Sequence, residues 1–189
     1  MKKPATSSLR IIGGQWKRRN LSFLTIEGLR PTPHRVRETL FNWLQSDIQG
    51  KRCLDAFAGS GALGAEALSR GASFCVFIEK NAAQAQHLQQ GLQQLGCTPT
   101  VLVGDSLQLL SQQQTPFDVV FLDPPYGLKL WQGACELLVK HQLIDTNSLI
   151  YIEADCEWSA LNLPTQWHCL KNTKAGTVHG FLAKIENLS

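Results

Sequence analysis

The chain has 189 residues, 43% of them hydrophobic, and a net charge of +3, an ordinary composition for a globular protein and enough for one compact domain with a substantial core. No run of about 18 apolar residues exists, which excludes a helical membrane span, and the opening MKKPATSSLR has no apolar stretch behind its two lysines, so it does not read as a secretory signal. The six cysteines, at positions 53, 75, 97, 135, 156 and 169, show neither C-x-x-C nor metal-ligand spacing, and a cytoplasmic, monomeric, metal-free protein is the expectation.

Charge is unevenly placed. Residues 1–50 hold nine Lys/Arg against three Asp/Glu, whereas residues 51–189 hold nine against twelve. The division expected is a basic N-terminal segment, 1–50, with a polyanionic partner, joined to a mildly acidic domain, 51–189.

In chain order, residues 1–8 read as unstructured, Arg10-Ile11-Ile12 as a short strand, and Gly13-Gly14 as the bend of a hairpin or irregular ribbon. Trp16 stands beside Lys17, Arg18 and Arg19. An aromatic among cations suits stacking on a base while the cations hold phosphates; packing of Trp16 in a local core is the other reading. Leu29-Arg30-Pro31-Thr32-Pro33 introduces a helix with Thr32 as N-cap and Pro33 in the first position, and Val36, Leu40, Phe41, Trp43 and Leu44 make one apolar face. Arg35 and Arg37 lie at the positive end of that helix, where the macrodipole disfavours them. Together with Arg10 and Arg30 they are candidates for holding an external anion.

From Cys53 the chain alternates strand and helix. Strands are predicted at 52–57, 74–79, 99–103, 117–122, 148–153, 166–171 and 177–185, and helices at 61–70, 81–95, 106–112 and 130–141, with a weak turn at 157–161. Asn81 is suited to cap the second of these helices and Gly96 to close it. Alternation of this kind predicts a seven-stranded, mostly parallel sheet wrapped by helices. The last two strands, joined by Lys174-Ala175-Gly176, should form an antiparallel hairpin.

The stretch LDAFAGSGALGAEAL, from Leu54 to Leu68, is a strand, a glycine turn and a helix, the opening of a nucleotide-binding βαβ unit, with G-x-G-x-x-G spacing at Gly59, Gly61 and Gly64. Ligands of open α/β sheets bind at the carboxyl ends of strands. The polar residues predicted there are Asp55 with the Gly59-Ser60-Gly61 turn, Glu79, Asp105 and Asp123. Four acids suit a ligand carrying its own positive charge, ribose hydroxyls and an adenine amine better than a pyrophosphate. Asp123 opens Asp123-Pro124-Pro125-Tyr126 directly after FDVVFL. Its carboxylate and the Pro124 carbonyl can both accept from one planar amine, and Tyr126 offers a ring for the attached base.

The pair DAFAGSG and DPPY, in that order, resembles the S-adenosylmethionine-dependent amino-methyltransferases of nucleic acids. RIIGGQWKRRNL, LRPTPHRVRETLFNWL and LDAFAGSGALGAEALSRGA are similar to the RsmD family, a likeness that covers nearly the whole chain and weakens after Tyr126. The resemblance implies a Rossmann-like methyltransferase fold with a small N-terminal ribbon and helix. It also implies methylation of N2 of guanine 966 of 16S rRNA in the small ribosomal subunit. Asp55, Gly59, Ser60 and Gly61 would cradle the methionine part of the cofactor, Glu79 the ribose and Asp105 the adenine amine. Asp123, Pro124 and Tyr126 would hold the target base. DPPY alone does not separate guanine from an adenine-N6 target in DNA or RNA. From other classes, an NAD-binding oxidoreductase leaves DPPY unexplained, and a non-catalytic RNA-binding or assembly factor leaves the intact acids unexplained.

Overall fold

The computed structural model describes residues 3–187. Two strands, β1 (Thr6–Arg10) and β2 (Asn20–Leu24), form an antiparallel ribbon, and helix α1 (His34–Trp43) follows. The remainder builds β3 (Arg52–Asp55), α2 (Ala62–Ser69), β4 (Phe74–Glu79), α3 (Ala82–Gln94), β5 (Thr100–Val103), α4 (Ser106–Leu110), β6 (Val119–Leu122), α5 (Trp131–Lys140), β7 (Leu149–Ala154), β8 (Trp167–Ala175) and β9 (Val178–Ile185). Among the described residues no helix is long and apolar enough to cross a membrane.

The large sheet has the order β5-β4-β3-β6-β7-β9-β8. Pairings from β5 to β7 are parallel, while β9 runs antiparallel to both β7 and β8. This is the expected seven-stranded sheet with its C-terminal hairpin. β8 runs further than its predicted end at 171, to Ala175, so the hairpin turn is Gly176-Thr177, with Gly176 at φ +61°. From β3 the chain builds outward through β4 and β5, then crosses back to lay β6 on the other side of β3. The switch point between β3 and β6 opens a crevice at their carboxyl ends, the ends that carry Asp55 and Asp123.

Central strands are buried on both faces: all four residues of β6, VVFL, and all six of β7, LIYIEA, are buried, as a parallel sheet covered on both sides requires. One face packs the ribbon, α1, α2 and α3 through Leu21, Phe23, Leu40, Phe41, Leu63 and Leu88. The other packs α4 and α5 through Leu110, Trp131, Cys135 and Leu138. In α1 the buried apolar residues are Val36, Leu40 and Phe41, each contributing about 1.5–3 kcal/mol as an upper figure. Gly64 lets α2 approach β4: a Cβ there would stand 2.7 Å from Phe77 Cζ and 2.9 Å from Cys75 Sγ.

The first strand departs from the sequence reading. It covers Thr6–Arg10 rather than residues 10–12, so Thr6–Ser8 are ordered by pairing with β2; residues 1–2 of the stretch expected to be unstructured lie outside the described residues. A local reading sees only small polar residues there, whereas their hydrogen-bond partners come from a strand more than a dozen positions away, from Ser22 to Leu24. Ile11 instead turns into the core, and the 11–19 connection closes on itself through Ile11 N–H to the Arg19 carbonyl and Arg18 N–H to the Ile11 carbonyl, both 2.9 Å.

Candidate active site

A cleft of about 1040 Å³ opens at the carboxyl edge of the parallel strands. The glycine turn forms one wall. Gly59 (φ +53°) and Gly61 (φ +78°) adopt left-handed conformations that favour glycine. Gly59 and Ser60 line the cleft, whereas Gly61 starts α2 and leaves room for Leu88, whose Cδ2 would lie 3.2 Å from a Cβ at Gly61. Asp55 ends β3, is 1% exposed, and accepts the Gly64 N–H at 3.0 Å. Burial pushes its carboxyl up to about 7; the Gly64 amide opposes that shift, while Glu79 and Glu153 add to it.

Glu79 ends β4 and receives two backbone amides, Gly59 N–H at Oε2 and Asn81 N–H at Oε1, both 2.8 Å. It thereby fixes the glycine turn against the start of α3, where Asn81 Oδ1 caps by accepting Gln84 N–H at 3.0 Å. Asp105 is exposed at the cleft and caps α4 by accepting Gln108 N–H at 3.0 Å. Asp55, Glu79, Asp105 and Asp123 therefore share one cavity.

On the opposite wall, Asp123, Pro124, Pro125 and Tyr126 leave β6 and enter a short 3₁₀ turn, Tyr126–Leu128. Tyr126 leans on Trp131 with ring centroids 6.3 Å apart. The Asp123 carboxyl is raised well above the carboxylate range, first by burial, then by the neighbouring Glu153 and Asp55.

Glu153 is the residue that sequence reasoning missed. It lies near the end of β7, is 3% exposed and lines the cleft. Its Oε2 accepts the Thr32 hydroxyl at 2.7 Å and the Tyr151 hydroxyl at 2.9 Å, and its Oε1 accepts the Tyr126 hydroxyl at 3.3 Å. Burial raises its carboxyl, with the three hydroxyls opposing that shift. The available signal was that SLIYIE ends in an acid as FCVFIE does. Thr32 therefore does not cap α1. Pro33 occupies the cap position, no side chain caps the helix, and the Thr32 hydroxyl is committed to Glu153 instead.

The basic segment divides in two. Arg10, Lys17, Arg18, Arg19, Arg30 and Arg35 are exposed, and Arg30 also lines the cleft. Trp16 and Arg37 are not available to a nucleic acid. Trp16 is 6% exposed inside the apolar cluster, and its backbone N–H donates to Ser69 Oγ at 2.9 Å, so the core reading holds and stacking on a base is withdrawn. Arg37 is 3% exposed. Its Nη1 donates to the Arg10 carbonyl at 3.2 Å and lies 3.8 Å from Glu66 Oε2. Glu66, fully buried, also accepts Ile12 N–H, Gly13 N–H and Arg70 Nε, at 2.8–3.0 Å. A buried charge needs such partners, and Arg37 serves that need rather than an external phosphate.

Known proteins resemble this chain in sequence and fold. The family described as Conserved hypothetical protein 95 matches residues 9–184. Ribosomal RNA small subunit methyltransferase D of Haemophilus influenzae is 45% identical over 179 residues, 92% of either chain. The Escherichia coli protein of the same name is 42% identical over 182 residues, 94% of this chain and 92% of its own. Among solved structures, a putative methyltransferase of Escherichia coli superposes with a TM-score of 0.87 at 41% identity, covering 95% of this chain and 99% of that one. A putative methyltransferase complexed with SAH, at 12% identity and a TM-score of 0.73, covers 98% of this chain and 57% of that one and shares the fold. On that identity, carried over almost its whole length, the chain belongs to the ribosomal RNA small subunit methyltransferase D family.

Proposed function

We propose that this protein transfers a methyl group from S-adenosylmethionine to the N2 amine of a guanine in 16S rRNA of the small ribosomal subunit, the guanine at position 966 by family resemblance. The observation that carries this reading is the meeting of a glycine turn, DPPY and six acids, Glu27, Asp55, Glu79, Asp105, Asp123 and Glu153, in one cleft. Against these acids, Arg30 and Lys80 bring positive charge to its lining. A pyrophosphate fits that set of acceptors poorly, whereas a sulfonium and ammonium cation with ribose hydroxyls and an adenine amine fits it well. When bound, S-adenosylmethionine supplies an electrophilic methyl group.

Asp55, Gly59 and Ser60 form the methionine end of the cofactor site, Gly61 serves the turn by packing on Leu88 rather than by lining the cleft, Glu79 takes ribose hydroxyls, and Asp105 takes the adenine amine. Asp123 and the Pro124 carbonyl accept the two N–H groups of the target amine, and the Tyr126 ring supports the base. Guanine N2 is a weak nucleophile because its lone pair is delocalised into the ring. Accepting both hydrogens directs that lone pair out of conjugation, so alignment supplies most of the acceleration. Positive charge grows on the nitrogen as it reacts; Asp123 stabilises it and takes the one proton that the methylated nitrogen must release. Burial first, and for Asp123 the neighbouring Glu153 next, hold these carboxyls toward the neutral form, and an arriving cation favours their ionised forms.

Residues 1–50 form the RNA-binding segment and residues 51–189 the cofactor-binding domain, and the protein works as a monomer in the cytoplasm. Arg10, Lys17, Arg18, Arg19, Arg30 and Arg35 contact phosphates. The target must be unstacked to reach Asp123, and a loop guanine costs least to present.

The test is tritiated-methyl transfer to small subunits, free rRNA and duplex DNA side by side. Transfer to small-subunit guanine N2 is expected. Asp123→Ala should lower turnover at least ~100-fold, the scale of losing a preorganised electrostatic group, with cofactor affinity retained. Transfer to adenine N6 instead, or near-normal turnover in Asp123→Ala, would overturn the reading.

A further inference from the structure

We infer that Glu153 is the group that selects guanine, by accepting the ring N1–H of the target base beside the amine held by Asp123. This inference rests on the function proposed above and deepens it. Asp123 and Pro124 recognise an amine, and adenine, cytosine and guanine all carry one. Something else at the target end of the cleft must read the base.

Glu153 has the right place and the right chemistry. It lines the same cleft as Asp123, Pro124 and Tyr126 and is 3% exposed. Burial favours the protonated Glu153 in the empty cleft, and the cation that fills the cleft favours the ionised form, a carboxylate with about four acceptor sites and no donor. Three of them are filled by hydroxyl donors: Thr32 and Tyr151 on Oε2, and Tyr126 on Oε1. One acceptor site remains, on Oε1, the oxygen that also holds the ring proposed to support the base. Trp131 Nε1 donates to the Glu153 backbone carbonyl at 2.9 Å, which holds this part of β7 against α5.

Guanine presents two adjacent donors on its Watson–Crick edge, N1–H and the N2 amine. Adenine and cytosine place an unprotonated ring nitrogen next to their amine, and its lone pair would face the remaining Oε1 lone pair. A buried acceptor met by another acceptor is a strong rejection device, because neither can turn to water. The same three hydroxyls hold the side chain in place, so the acceptor is preorganised. Thr32 comes from the entry to α1, and the reader of the base is thereby tied to the RNA-facing segment.

The discriminating substrate is 2-aminopurine, which keeps the 2-amine but has no hydrogen on N1. Small subunits reconstituted with guanine or 2-aminopurine at the target position are offered to the wild type and to Glu153→Gln, and kcat/KM is measured for each. The wild type should prefer guanine by roughly 10–100-fold, the scale of one mismatched buried hydrogen bond. Glu153→Gln, whose amide can turn a donor toward N1, should bring that ratio close to one or invert it. The ratio separates base reading from mere support of Tyr126, because lost support would lower both substrates together and leave the ratio unchanged.

Equal use of guanine and 2-aminopurine by the wild type would overturn the inference, as would an unchanged ratio in Glu153→Gln. Should Glu153→Gln not fold, Glu153→Asp, with a retracted carboxylate, carries the same comparison. Wild-type failure to methylate guanine at all would instead sink the underlying function.

Discussion

Asp55 offers a test that needs no substrate. Its carboxyl is 1% exposed and pushed up to about 7 from an ordinary 3.8. At about 1.36 kcal/mol per pH unit, ionised Asp55 costs the ligand-free fold at most about 4 kcal/mol. Between pH 4 and pH 7 the folded protein holds this proton while the unfolded chain has lost it. Stability from this group therefore falls as pH rises through that window, and the full cost is present above pH 7. Asp55→Asn removes the charge and keeps an oxygen for Gly64 N–H. The ligand-free variant should match the wild type near pH 4 and be more stable at pH 8. For a chain of this size each kcal/mol moves Tm by about 2–4 °C. The assay is thermal unfolding of both proteins at intervals from pH 4 to pH 8, plotted as the difference in Tm. A difference that is independent of pH, or that favours the wild type at pH 8, would refute the reasoning. The same variant should lose cofactor affinity, since the buried charge that strains the empty fold is the one a cation satisfies. Calorimetry in buffers of different ionisation enthalpy should show the wild type releasing protons when it binds S-adenosylmethionine near pH 6.5.

Glu79→Ala should weaken binding of S-adenosylmethionine by roughly 1–3 kcal/mol, and because Gly59 and Asn81 N–H lose their acceptor, calorimetry should also show an added enthalpic cost; unchanged affinity would remove Glu79 from the cofactor site. Replacing Lys17, Arg18 and Arg19 with Ala should leave Tm nearly unchanged, since all three are exposed. It should flatten the log–log salt dependence of small-subunit binding by about 0.7–0.9 for each phosphate no longer neutralised, and an unaltered slope would confine recognition to the α/β domain. Trp16→Ala should lower stability by about 3–5 kcal/mol, as for a large aromatic removed from a core, with the salt slope kept; a stable variant with weakened RNA binding would restore the stacking role.

What the sequence determined by itself was local. The glycine turn at 59–61, the cap at Asn81, the strand feeding DPPY and the alternation of strand and helix are all set by neighbours within a few residues, through φ preferences, hydrogen-bond caps and hydrophobic period. These placed Asp55, Glu79, Asp105 and Asp123 at strand ends, and the parallel topology then brought all four into one cleft. Burial and partnership were decided only by the tertiary structure. Trp16 looks like a surface aromatic among cations until the fold buries it in an apolar cluster and ties its backbone to Ser69, 53 residues away. Arg37 looks like a free cation until Glu66 needs a counter-charge, and Thr32 looks like a cap until Glu153, 121 residues on, claims its hydroxyl. A side chain's partner is chosen by which long-range contact relieves the larger desolvation cost, and residue order along the chain carries no direct record of that competition.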